Sequence, residues 1–116
     1  ISIVKDGSGV GNTMLCEVMS STIGTLYSIH PKNNTNIHFL LYLIKRIKFS
    51  KYKVGSSIPH IYFKDFSKEK ILLPCIDEQI KIGSFISSFD KKIEYISSQI
   101  DKTKEFKKGL LQQMFV

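Results

Sequence analysis

The sequence has no tryptophan, three prolines and two cysteines among 116 residues, and it is short of acidic side chains, with ten Asp or Glu against seventeen Lys or Arg. Cys16 and Cys75 stand far apart with no C-x-x-C or histidine pattern around them, which argues against a disulfide framework or a zinc site and for two reduced packing residues. The longest apolar run, "IHFLLYLI" at 37–44, is too short to cross a bilayer, and no charged, apolar and small-residue succession opens the chain as a signal peptide would. These absences predict a soluble, cytoplasmic protein. The signatures of catalysis are missing as well. Gly7, Gly9 and Gly11 follow a strand pattern, but neither a Gly-Lys-Ser/Thr phosphate loop nor a Gly-x-Gly-x-x-Gly dinucleotide loop is present. The four acidic residues before Asp77 do not cluster as a nuclease requires, and no serine sits in a nucleophile elbow. A base methyltransferase would need a cofactor domain and catalytic loop of its own. The expectation is a non-catalytic chain with no cofactor and no metal.

What is present is positive charge, unevenly placed. Residues 1–76 hold ten Lys or Arg against four acids, a net of +6, whereas residues 77–116 hold seven against six, a net of +1. Lys45, Arg46, Lys48, Lys51 and Lys53 fall in the window "KRIKFSKYK", interleaved with Phe49 and Tyr52. Basic side chains beside aromatics suit a phosphate backbone, because each neutralised phosphate releases condensed counterions. The competing reading is a set of cations that complements the C-terminal dipole of the preceding helix.

Hydrophobic patterning predicts an α+β fold. "ISIVKDG" alternates weakly and ends in the glycine-rich turn "DGSGVGN"; "TMLCEVM" and "TLYSIH", joined by the polar "SSTIG", read as two further antiparallel strands. A chain that opens on "ISIV" reads as starting within a strand, so part of its parent is expected to precede it. After the loop around Pro31, Asn34 or Asn36 can cap a helix through "IHFLLYLIKRIKF", apolar on most sides and so expected against the sheet. A loop at Gly55 to Pro59 follows, and "KDFSKEKILLP" should close the globular part with a short strand ending at Leu73.

The clearest periodicity lies beyond Pro74. Ile82, Ile86, Phe89, Ile93, Ile96 and Ile100 are spaced 4, 3, 4, 3 and 4, and the frame continues through Thr103 and Lys107 to Leu110 and Met114. That is the a/d seam of a coiled coil. Asp77 can cap this helix or sit in its first turn, where the unpaired amides favour a carboxylate. A helix from Asp77 to Val116 would extend roughly 60 Å at about 1.5 Å per residue. A globular part of this size cannot cover such a seam, so a partner helix, most simply that of a second copy, is expected. The division is 1–74 as a β-rich domain and 75–116 as a long helix.

"GSSIPHIYFKDF", then "ILLPCIDEQIKIGSFISSFDKKI" and the closing "KEFKKGLLQQMF", resemble the C-terminal half of a target recognition domain plus conserved helix in the specificity (S) subunits of type I restriction-modification systems. "ISIVKDGSGVGNTML" and "SSTIGTLYSIHPKN" resemble the β-rich segments of the same domains. The resemblance thus covers nearly the whole chain. Its most specific element is Pro74, two residues, then Asp77, Glu78, Gln79 and Ile82; where the family has a second proline, this chain has Cys75. The resemblance implies sequence-specific recognition of double-stranded DNA, with the long helix acting as a spacer between half-targets and as the docking surface for methyltransferase (M) subunits. Restriction (R) subunits would complete the complex, and methyl transfer and cleavage would belong to these partners. Half-length members can pair to rebuild the two-domain arrangement, so a homodimer through the C-terminal helices is expected.

Base readout needs donors and acceptors on short or forked side chains, while Lys and Arg mainly fix register on phosphate. Two polar loops offer both. One carries Lys5, Ser8 and Asn12; the other carries Lys51, Lys53, Gly55, Ser56, Ser57 and His60, with Gly55 allowing close approach of backbone to phosphate. His60 is the weakest of these candidates, because a lone histidine between apolar neighbours is more often a packed one. Lys32, Asn33 and Asn34 are further loop candidates. The alternative from another class is a coiled-coil adaptor whose β domain binds protein, which would show weak, salt-insensitive affinity for DNA.

Overall fold

The computed structural model describes residues 1–16 and 20–115. It is an α+β fold whose sheet is antiparallel, with β1 (Ser2–Val4) between β2 (Thr13–Met14) and β3 (Leu26–Ser28). Ile3 pairs with Thr13 on one side and Tyr27 on the other. The central position leaves Ile3 without exposed surface. The residues form two compact units, Ile1–Ser84 and Phe85–Val116.

The first unit has a core of Ile1, Ile3, Val10, Leu41, Ile44, Phe49, Ile61 and Phe66. The apolar stripe of α1 (Ile37–Lys45) supplies Phe39, Leu41 and Ile44 to the buried set. Asn36, not Asn34, caps α1: its Oδ1 accepts from the backbone N–H groups of His38 and Phe39, both at 3.0 Å. Asn34 instead takes a positive φ of 63°, which an asparagine tolerates in a turn.

Three expectations are corrected, and of the two places offered for Asp77, the cap or the first turn, the structure takes the second. The helix does not continue through Phe49; it stops at Lys45 with Arg46 as C-cap, and a 3₁₀ turn, Phe49–Tyr52, follows. The reason is packing. Phe49 turns inward, meets Phe66 edge-on at 5.3 Å, and lies so close to Gly11 that a Cβ there would stand 2.7 Å from the Phe49 Cβ. The closing strand before Pro74 is also absent. "FKDF" forms the short helix α2 (Phe63–Phe66), tied by Phe63 and Phe66 stacked edge to face at 5.2 Å. Ile71 to Leu73 then run without a strand partner among the described residues. The second strand is shorter than "TMLCEVM", since Leu15 and Cys16 are outside it and residues 17–19 lie outside the described residues. Finally, the long helix α3 (Ile76–Met114) starts one residue before Asp77. Gln79 donates its N–H to the Cys75 carbonyl at 3.0 Å, so Cys75 holds the cap position and Asp77 and Glu78 occupy the first turn.

The first turns of α3 belong to the first unit through two side-chain devices. Gln79, 2 % exposed, accepts from the Asn36 N–H at 3.0 Å and donates to the carbonyls of Pro74 (2.9 Å) and Asn34 (3.2 Å). One turn later Gly83 is buried, and a Cβ on it would lie 2.9 Å from the Phe39 nitrogen. No other residue lets α3 approach the start of α1 so closely. In the second unit Phe85 and Phe89 pack edge to face at 5.0 Å. Phe89, Ile93, Ile96, Ile100, Leu110 and Met114 are all exposed, while Ile82 and Ile86 are half-buried. No helix of the described residues is long and apolar enough to cross a membrane.

Candidate nucleic-acid interface

The two polar loops, distant in sequence, share a root. The first is the β1–β2 hairpin turn, closed where Val4 donates to the Asn12 carbonyl (2.9 Å) and Gly11 donates to that of Val4 (2.8 Å). The second is closed by a reciprocal pair of 2.8 Å bonds between Val54 and His60, with Gly55 at a φ of +91°. Between them, Gly7 donates to the Pro59 carbonyl (2.9 Å) and Ile61 to that of Lys5 (3.0 Å). Asp6 therefore faces His60 across an antiparallel bridge, and their side chains are hydrogen-bonded through His60 Nδ1 and Asp6 Oδ1.

Ser8, Asn12, Lys53, Gly55, Ser56 and Ser57 are exposed on or beside these loops. Lys5 is half-buried, its ammonium 5.4 Å from the centre of the Tyr27 ring. His60 is neither a core histidine nor a free one, since it combines the Asp6 hydrogen bond with edge-on contact to Tyr62 at 4.3 Å. Tyr62 is 44 % exposed and carries Lys64 over its ring at 5.4 Å. Asp6, Tyr62 and Lys64 were missed by sequence reasoning. Nothing in the sequence marks Asp6; the only sequence signal for the other two is the alternation in "HIYFK", which sends Ile61 into the core and places its neighbours outside.

Lys51 is drawn elsewhere. It forms an ion pair with Glu69, whose carboxylate also accepts from the Tyr52 hydroxyl. The hydrogen bond to Glu69 raises the Lys51 pKa above its ordinary value, and the same carboxylate raises that of Tyr52. In return the bonds from Lys51 and Tyr52 hold Glu69 below the usual glutamate range. Lys53, by contrast, sits at the root of the second loop next to Val54. Lys32 and Asn33 are exposed, whereas the Asn34 carbonyl is engaged by Gln79. Among the described residues no three His, Cys, Asp or Glu lie close enough to hold a metal ion. The arrangement offers hydroxyls, amides and backbone on two clipped loops, flanked by Lys5, Lys53 and Lys64. Such a surface can hold phosphates at its margins and present short donors and acceptors to base edges.

Residues 2–105 match the sequence profile of the type I restriction modification DNA specificity domain. The type I restriction enzyme MjaVIII specificity subunit of Methanocaldococcus jannaschii is 32 % identical over 120 aligned residues, which take in 99 % of this chain and 28 % of that subunit. A putative type I restriction enzyme MjaX specificity subunit of the same organism is 34 % identical over 92 residues, covering 72 % of this chain and 21 % of the relative. The chain thus spans about a quarter of the length of these curated relatives. No solved structure matches.

Proposed function

Given that this chain belongs to the type I restriction-modification DNA specificity domain family, we propose that its paired loops, 5–12 and 53–60, read one half of a split target in double-stranded DNA. The observation that carries the reading is the clip between Asp6 and His60, which makes one surface of two loops that carry the polar and basic residues DNA recognition needs. Within that surface Ser8, Asn12, Ser56 and Ser57 would face base edges, and Lys5, Lys53 and Lys64 the phosphates.

In this reading residues 1–74 are the recognition domain and residues 75–116 the spacer. A stiff helix fixes a distance where a flexible linker gives a distribution, and the 39 residues of α3 extend roughly 58 Å at about 1.5 Å rise each. The exposed isoleucine seam is the natural site for a second copy of the helix, giving a homodimer with two recognition domains, and the outer faces of the paired helices would dock M subunits and, through the complex, R subunits. The chain itself is a targeting component; methyl transfer and cleavage belong to those partners. The test is selection of bound duplexes from a random pool by the full chain assembled with its M subunit. Enrichment of a defined half-target, with affinity falling steeply as salt rises, is the expected result. No enrichment and salt-insensitive binding would instead support the adaptor reading.

A further inference from the structure

Away from the loops, the first unit carries a groove of about 720 Å³ between the C-terminal end of α1 and the segment that leads to Pro74. Its walls include Phe39, Leu43 and Ile47 on one side and Ile71, Leu72 and Leu73 on the other. Leu72 is 90 % exposed, Leu73 52 % and Ile71 43 %. Among the described residues, none of these three makes a backbone hydrogen bond within the chain. Sequence patterning reads them as a strand, and the fold leaves that strand without a neighbour.

Open edges of this kind are templates for pairing, and an exposed apolar patch beside one marks an interaction surface. The rim supplies the second half of the recognition. Arg46, Lys48 and Lys70 border the groove and are exposed, while Lys51 and Glu69 neutralise each other. The aliphatic floor disfavours a phosphate backbone, which would lose its hydration there for no polar partner. Basic rim, apolar floor and free backbone edge together suit a peptide. We propose that this groove receives an extended segment of a partner protein, apolar at alternate positions and acidic between them, which adds a strand along Ile71 to Leu73. Arg46, Lys48 and Lys51 of the basic window border the groove, but none of the residues assigned to base edges or phosphates above does, so the groove stands apart from that DNA surface.

The test uses the full chain and a fluorescein-labelled, acetylated heptapeptide, Glu-Val-Glu-Ile-Glu-Val-Glu, followed by fluorescence anisotropy. Saturable binding is expected, at least tenfold weaker for the same peptide with lysine in place of glutamate. N-methylation of alternate amides, which removes the ladder donors, should also weaken binding at least tenfold. Leu72→Asp should cost a similar factor, and circular dichroism should show its helix content unchanged because the side chain is almost wholly exposed. Lys70→Glu acts on the rim alone and should narrow the preference for the acidic over the basic peptide, because Arg46 and Lys48 remain. Equal affinity for both peptides, or indifference to Leu72→Asp, would overturn the proposal. So would displacement of the peptide by duplex DNA, which would make the groove a nucleic-acid surface. A loss of self-association in Leu72→Asp by light scattering would overturn it too, by making a second copy the occupant.

Discussion

The side-chain oxygen of Gln79 accepts a hydrogen bond from the backbone N–H of Asn36 at 3.0 Å, and so fastens the start of α3 to the cap of α1. The same amide donates to the carbonyls of Asn34 and Pro74, which meets the polar capacity of a side chain that is 2 % exposed. Gln79→Ala would strand those groups in a buried site and should lower unfolding free energy by about 1–3 kcal/mol in urea titrations. Gln79→Glu keeps the shape but replaces two donor bonds with a buried charge facing carbonyls, and should be at least as damaging. A loss no greater than that of an exposed glutamine such as Gln112 would show that the joint is held by other contacts.

Gly83 is a second handle on the same joint. A methyl group there meets the Phe39 nitrogen at 2.9 Å and the Asn36 Oδ1 at 3.0 Å. Gly83→Ala should therefore cost about 1–3 kcal/mol by overpacking, against the gain that alanine normally brings to a helix interior. Gly109→Ala, where nothing lies within 4 Å, is the matched control and should stabilise α3.

The Lys51–Glu69–Tyr52 cluster predicts a pH signature. The Glu69 pKa is lowered by Lys51 and Tyr52, so its contribution is present above the ordinary glutamate value of 4.5 and is lost as pH falls through the lower folded-state value. The Lys51 pKa is raised, so that partner's contribution is complete below 10.5 and is lost only as pH rises through its higher folded-state value. Between those limits Glu69→Gln should melt below the parent chain by a constant amount, and the two melting curves should converge in acid. Parallel curves down to pH 2 would mean that Glu69 stabilises nothing as an anion.

The same cluster separates two lysines that look alike in sequence. Lys53→Glu should weaken binding to all duplexes about equally and reduce the slope of log affinity against log salt by roughly 1 or more. Lys51→Glu should do less to binding and more to stability, because its ammonium is already held by Glu69. Filter binding at several salt concentrations distinguishes the two.

The seam makes a prediction about assembly. Ile93 is 63 % exposed and Ile96 46 % exposed. In the proposed homodimer the parent chain should sediment at twice its monomer mass, and Ile93→Asp with Ile96→Asp should give a monomer with the sheet and its core intact, since neither side chain contributes to them. An unchanged dimer mass in that double variant would place the contact elsewhere than on the isoleucine seam.

The sequence by itself determined the elements whose cause is local. A 4-3-4-3-4 spacing of apolar side chains has one regular solution, and the helix beyond Pro74 follows from it. The glycines at 7, 11 and 55 announced tight turns, and all three take positive φ. The positive charge of residues 1–76 was likewise plain from composition. The tertiary structure alone decided what depends on which segments meet. Asp6 and His60 are 54 positions apart, and nothing in either loop marks the other as its neighbour. Whether "KRIKF" finishes as helix depended on Phe49 finding Phe66 and Gly11, and whether "ILL" became a strand depended on a neighbouring backbone that the fold does not bring to it. Strand formation needs a partner at hydrogen-bonding distance, whereas a helix carries its partners within itself. That difference is why the long helix was legible in the sequence, and why the last strand and the clipped loops were not.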